Sequence, residues 1–230
     1  MALRSFPVPT VRGGVDSATL DRPIELALAE PVLKRPFDVA LAGLMLLISA
    51  PAWAAIALAI KLEDGGPVFY RQERWGRDQT RFCVLKFRSM VANSDRDFGV
   101  RQAGVGDRRV TRVGAFMRAA GLDELPQLVN ILRGDMSFVG PRALATDEMT
   151  GDGAPIRYQD TPGFSTRLRV RPGLTGLATI YLPKDASSLL KFRTDQVYVR
   201  RLSFWLDVRL VLLSFWISFR GKWETRSKKV

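Results

Sequence analysis

The residues best suited to chemistry lie between Arg118 and Arg142. Asp123 and Glu124 are adjacent carboxylates, with Arg118 before them and Arg142 after. Leu125, Leu128, Val129 and Leu132 recur at i, i+3, i+4 and i+7, which predicts a short helix with one apolar stripe. Gly134 lies just past the stripe, where helices stop. Pro126 fits only near the helix start, where a missing N–H costs nothing. The two carboxylates are therefore expected at the N-terminal edge, beside the positive end of the helix dipole and its unpaired N–H groups. With arginines on either side, this is a place for a phosphate and a hard cation. The plainer alternative is an Asp N-cap beside a solvated Glu.

Composition narrows the chemistry further. The 230 residues carry 35 Lys and Arg against 23 Asp and Glu, a net charge of +12. Such an excess suits a polyanionic partner: nucleic acid, anionic headgroups or a phosphorylated substrate. There is no histidine, which removes the usual general base and the commonest metal ligand. Cys83 is the one cysteine, which excludes a disulfide, a zinc cluster and a Cys-His pair. Oxygen chemistry remains, and carboxylates favour Mg²⁺ or a similar hard cation.

Several elements must position these groups. Residues 1–33 have no sustained period and read as a poorly ordered leader, with a short helix over Ile24–Leu28. They lack the order of a secretory signal. Lys34-Arg35-Pro36-Phe37-Asp38 then opens an apolar run from Val39 to Ile60, roughly 33 Å as a helix and enough to cross a bilayer core. Pro51 interrupts the run near its middle, with Ser49 placed to satisfy a freed carbonyl. Both flanks are basic, Lys34 and Arg35 before it and Lys61, Arg71, Arg74 and Arg77 after it, so both ends should face the cytoplasm. A re-entrant helix over 34–61 meets these demands; a plain transmembrane helix tolerating Pro51 is the alternative.

Beyond it, residues 62–220 read as one α/β domain of short helices and a small sheet, followed by a basic tail, 221–230. Pro67–Arg74 and Thr80–Arg88 alternate as strands around a turn at 75–78. Lys86 and Arg88 share a face and can bind phosphate or stand as solvated strand charges. Residues 95–106 read as a loop. Asp107 is expected to cap a helix carrying Val110, Val113, Met117 and Ala120. Residues 147–165 read as surface loop, and Arg167–Arg171 as a strand entering a turn. The run Ser203–Phe219, with Trp205, Trp216 and Trp223, suits either an interfacial belt or a core helix. No repeat or nucleic-acid motif is visible.

Six motifs follow in order: Lys34–Asp38 before the apolar run, Gly66–Gln72, Lys86–Met90, Leu122–Gln127, Gly134–Arg142 and Arg171–Gly176. Together they resemble the bacterial sugar transferases, the monotopic phosphoglycosyl transferases, over roughly residues 34–215. The resemblance implies transfer of a sugar-1-phosphate from a UDP-sugar to undecaprenyl phosphate, with release of UMP, at the start of polysaccharide or glycoconjugate synthesis. It also implies Mg²⁺, contact with membrane lipids and a site on the cytoplasmic face of the bacterial inner membrane. Asp123 then matches the nucleophile that carries a covalent phosphosugar, and Glu124 its partner, as metal ligand or as the group steering Asp123. Arg118 and Arg142 match the phosphate-contacting arginines. The chain reads as the minimal catalytic form, and pairing as a homodimer stays open. Two departures are Ala143, where the family usually has a second proline after Pro141-Arg142, and Leu177-Ala178-Thr179, where it usually has Trp-Ala-Gln. The competing reading is a non-catalytic basic protein of the membrane surface.

Overall fold

A computed structural model describes residues 30–104, 106–150, 152–183 and 186–220. The expected leader helix, Trp223 and the basic tail lie outside them. The longest element is α1 (Lys34–Asp64), 31 residues without a break. It runs through Pro51, so the expected helix-break-helix is not seen as an interruption. The Ser49 hydroxyl donates to the Leu46 carbonyl at 3.4 Å and accepts from Trp53 Nε1 at 3.1 Å. Among the described residues, α1 alone is long and apolar enough to cross a bilayer. Its two ends are nevertheless both packed on the globular part. Lys34, Asp38 and Ala42 are buried at one end and Ile56 and Ile60 at the other, while Leu44, Leu47 and Ile48 between them are exposed.

The hairpin is as expected: β1 (Phe69–Trp75) pairs antiparallel with β2 (Arg81–Phe87), from Phe69 opposite Phe87 to Trp75 opposite Arg81. The loop expected over 95–106 begins instead with a short helix, α2 (Ser94–Phe98). Helix α3 (Arg112–Ala120) is capped by Thr111, whose hydroxyl accepts from the Gly114 N–H, and not by Asp107. Asp107 is drawn away by the Arg109 guanidinium at 2.8 Å, and Val110 lies outside the helix, bridged to Met90. The Glu63 carboxylate accepts from the first N–H groups of α3, at 2.7 Å from Arg112, and so fastens the end of α1 to that helix.

After Gly121 comes a single 3₁₀ turn, Leu122–Glu124, and then α4 (Gln127–Arg133), entered at Pro126 and ended at Gly134 with φ 98°. These limits match the sequence reading, but the inward face is offset from the expected stripe. Leu128 and Ile131 are buried and Leu132 is exposed. Asn130 turns inward because its side chain accepts from Leu85 N at 2.9 Å and donates to the Cys83 carbonyl at 2.8 Å. It thereby satisfies backbone groups of β2 that have no strand beside them.

Strand β3 (Ser137–Val139) pairs in parallel with β4 (Gly173–Thr175). The segment between them contains α5 (Phe164–Arg167) and is not the surface loop or strand expected. Tyr158, Phe164 and Leu168 are buried with Trp75 and Phe192 in a second core. Three helices follow: α6 (Leu177–Tyr181), α7 (Ser188–Arg200) and α8 (Phe204–Phe219). Helix α8 realises both sequence alternatives at once. Leu210, Val211 and Ile217 enter the main core with Leu128, Ile131 and Val139, while Trp205, Leu212, Trp216 and Phe219 are exposed.

Two contacts fix the chain ahead of Arg142. Lys34 Nζ lies 2.5 Å from Asp207 Oδ2 and donates to the Val139 carbonyl at 3.0 Å; Tyr198 joins the same cluster through Asp207 Oδ1 at 2.9 Å. Asp38 accepts from the Phe138 N–H at 3.0 Å. At Gly140, a Cβ would stand 2.3 Å from the Arg171 carbonyl, too close for any side chain. Gly140→Ala is therefore expected to destabilise the protein by about 1–3 kcal/mol. Gly43→Ala in α1 meets nothing within 4 Å and is expected to be neutral or stabilising. Thermal melts of both variants in one detergent would check the contrast.

Candidate active site

Asp123 and Glu124 stand in the turn that joins α3 to α4, and only 9% of Asp123 remains exposed. Gly121, with φ 71°, lets α3 end and the turn begin at once, which brings Arg118 into the cavity wall with Asp123. Arg118 Nη1 reaches Ser89 Oγ at 3.5 Å. From β2, Lys86 Nζ lies 2.7 Å from Glu124 Oε1. Arg142, after β3, meets the same oxygen at 3.5 Å, and half of its side chain, 51%, is exposed. The wall therefore brings together Arg118, Lys86 and Arg142.

Arg88 does not join them. Its guanidinium makes two contacts to Asp64, one at 2.6 Å, and donates to the Pro67 carbonyl at 2.6 Å. The expected shared face with Lys86 fails because β2 ends at Phe87 and Arg88 turns to hold the end of α1. Its phosphate-binding assignment is thus corrected to a structural tie. Arg74, unassigned by sequence reasoning, does line the cavity and donates to the Ala143 carbonyl at 2.7 Å. The signal was available: Tyr70, Gln72 and Arg74 share one face of β1, and Tyr70 pairs with Lys86.

Electrostatics separates the two carboxylates. Burial raises the pKa of Asp123; the Glu124 charge adds to the rise, while Lys86 opposes it. Burial would also raise Glu124, but the charges of Lys86 and Arg142 outweigh it and hold its carboxyl far below the usual range. Burial lowers Lys86, and the Glu124 charge raises Arg142. Neighbouring acids pushed in opposite directions are suited to different tasks. Among the described residues there is no cluster of three or more acidic, His or Cys side chains able to cage a metal.

The dyad opens into a cavity of about 530 Å³. Met45 of α1 and Val211 and Phe215 of α8 line it, as do Arg74 and Arg142, so it runs from the charged turn to the apolar helices. The description "bacterial sugar transferase" matches residues 29–221, which include every residue of this site. This chain belongs to the bacterial sugar transferase family.

Among members of the family, it is 42% identical over 190 residues to a UDP-glucose:undecaprenyl-phosphate glucose-1-phosphate transferase of Caulobacter vibrioides, covering 80% of this chain and 69% of that protein. A protein of the same description from Escherichia coli is 41% identical over 198 residues, 83% of this chain but 41% of that one. The exopolysaccharide production protein PSS of Rhizobium leguminosarum bv. phaseoli is 39% identical over 186 residues, 78% of this chain and 92% of PSS. The chain thus spans less than half of the Escherichia coli sugar transferase and most of the Rhizobium one.

Proposed function

We propose that this chain transfers a sugar-1-phosphate from a UDP-sugar to undecaprenyl phosphate, releasing UMP, at the cytoplasmic face of the bacterial inner membrane. The observation that carries the reading is the split dyad beneath Lys86, Arg118 and Arg142, in a cavity that also reaches α1 and α8. A pyrophosphate diester repels an anionic attacker, and flanking cations lower that repulsion. An Asp123 oxygen attacks the phosphorus bonded to the sugar, the bond from that phosphorus to the UMP oxygen breaks, and UMP leaves with its electrons. An oxygen of undecaprenyl phosphate then attacks the same phosphorus, and Asp123 leaves as carboxylate. The acceptor is already ionised, so a chain without histidine needs no strong base.

Glu124 holds Lys86 and Arg142 in place around the reacting phosphate. The two acidic side chains suit a Mg²⁺ that takes one or two carboxylates and draws its other ligands from phosphate and water. Asp123 would be the principal protein ligand, with Glu124 beside it, because Glu124 already accepts from two cations. When bound, Mg²⁺ would neutralise charge on the phosphate oxygens.

The two ends of α1 pack against the same globular part, which supports a helix that enters and leaves the bilayer on one side. A re-entrant anchor would meet the lipid acceptor without drawing it into water. A protein that only adheres to membranes has no need of a buried carboxylate pair.

The test is UMP release by the purified chain in nanodiscs with Mg²⁺, undecaprenyl phosphate and a panel of UDP-sugars. UDP-glucose comes first, because several relatives carry it in their names. Release requiring both lipid phosphate and Mg²⁺ is expected; no release from any donor would refute the reading.

A further inference from the structure

The same cavity has a second polar wall that the transfer chemistry does not use. Gln102, Glu148, Tyr158, Arg167 and Asp195 line it. Glu148 accepts from Gln102 Nε2 at 2.8 Å and from the Tyr158 hydroxyl. Arg167, 2% exposed, is fixed on two sides: Nε lies 2.9 Å from Asp195 Oδ2, and Nη2 donates to the Arg142 carbonyl at 2.7 Å. Its guanidinium also lies over the Phe192 ring, 4.6 Å from the centroid. The remaining nitrogen, Nη1, is buried and has no acceptor among the described residues. A buried N–H left in that state is costly unless a ligand supplies the acceptor.

We propose that this wall is the subsite for the glycosyl ring of the donor, an inference that rests on the transfer reaction above. Glu148 accepts hydrogen bonds from ring hydroxyls, and Arg167 Nη1 donates to a ring oxygen. Position favours the sugar over the base. Arg167 grips the main chain of Arg142, whose side chain stands at the dyad, and the sugar is bonded directly to the phosphorus that Asp123 attacks. The uracil is a second phosphate and a ribose further away. Chemistry agrees, because an acceptor-only carboxylate suits a ring bearing several hydroxyls and repels the two carbonyls of uracil. A buried site built to bond hydroxyls discriminates strongly against donors that lack or misplace one.

The experiment compares Glu148→Gln and Gln102→Ala with the parent protein. The ratio of kcat/KM for UDP-glucose to that for UDP-galactose is expected to change by roughly tenfold or more. Inhibition by UMP, which has no sugar-1-phosphate, is expected to stay unchanged. An unchanged ratio with weakened UMP inhibition would overturn the proposal by assigning the wall to the base. No change in either would overturn it by removing the wall from donor contact. Saturation-transfer NMR with UDP-glucose and the full chain in nanodiscs separates this inference from the reaction on which it rests. Saturation of the glucose ring protons that falls in Glu148→Gln supports the subsite even without turnover; ring protons that never saturate refute it.

Discussion

Asp123→Asn is expected to cut UMP release by about four orders of magnitude or more, in line with removal of a covalent nucleophile. The amide keeps the size and shape of the carboxyl but cannot form the acyl phosphate. Folding should survive. Asp123 is a buried acid beside the charge of Glu124, and its neutral form is the one burial favours. A melting temperature equal to or above the parent's would make the loss chemical. A mass increase of one sugar phosphate on Asp123, trapped before the lipid acceptor is added, should vanish in the variant. Turnover near the parental rate would end the proposal of a covalent aspartyl intermediate. The same burial fixes the sign of the pH dependence. The ionised form attacks, and the Asp123 pKa is raised, so the rate should climb with pH through a midpoint above the ordinary carboxylate range. Glu124 is held far below that range and stays charged throughout, so it does not set this limb.

Asp207→Ala is expected to destabilise the fold by about 3–5 kcal/mol, the cost of leaving one member of a buried ion pair alone. Lys34 and Asp207 have side chains 1% and 2% exposed and lie 2.5 Å apart. Without the carboxylate, the ammonium faces only the Val139 carbonyl and the Tyr198 hydroxyl. Replacing both partners, as Lys34→Met with Asp207→Leu, removes the stranded charge and should recover most of the loss. Denaturant unfolding in nanodiscs would measure both. Equal stability of Asp207→Ala and the parent would mean that the pair does not hold α1 to α8.

What could be read in advance followed from local signals. Gly134 and Pro126 bracket α4, the alternation on either side of Trp75 makes the hairpin, and the apolar run makes α1. Each is decided by sterics or periodicity within a few residues. Asp123, Glu124, Arg118, Lys86 and Arg142 were likewise picked out by sequence order, and the fold gathers them in one cavity wall. Failures came where a distant partner outweighed local preference. Asp107 is a good cap by type, but Arg109 takes its carboxylate and Thr111 caps α3. Arg88 looked like a phosphate ligand, but Asp64 claims it from 24 residues away. Residues 147–165 looked polar because their buried side chains, Glu148 and Tyr158, are satisfied only by the cavity that forms around them. Arg167 looked like a strand charge, yet its partner Asp195 lies 28 positions further on.

The Lys34–Asp207 pair also sets an order of events during synthesis. The two residues are separated by 173 positions, so the ribosome exposes the first turn of α1 long before it delivers α8. At typical bacterial elongation rates that interval is roughly 10–35 s. Throughout it, the Lys34 ammonium has no carboxylate partner and must remain in water or among headgroups. The start of α1 can therefore sink to its final depth only when α8 folds against it. Membrane insertion and completion of the catalytic domain become one event, and a chain interrupted before Asp207 would hold its anchor too shallow.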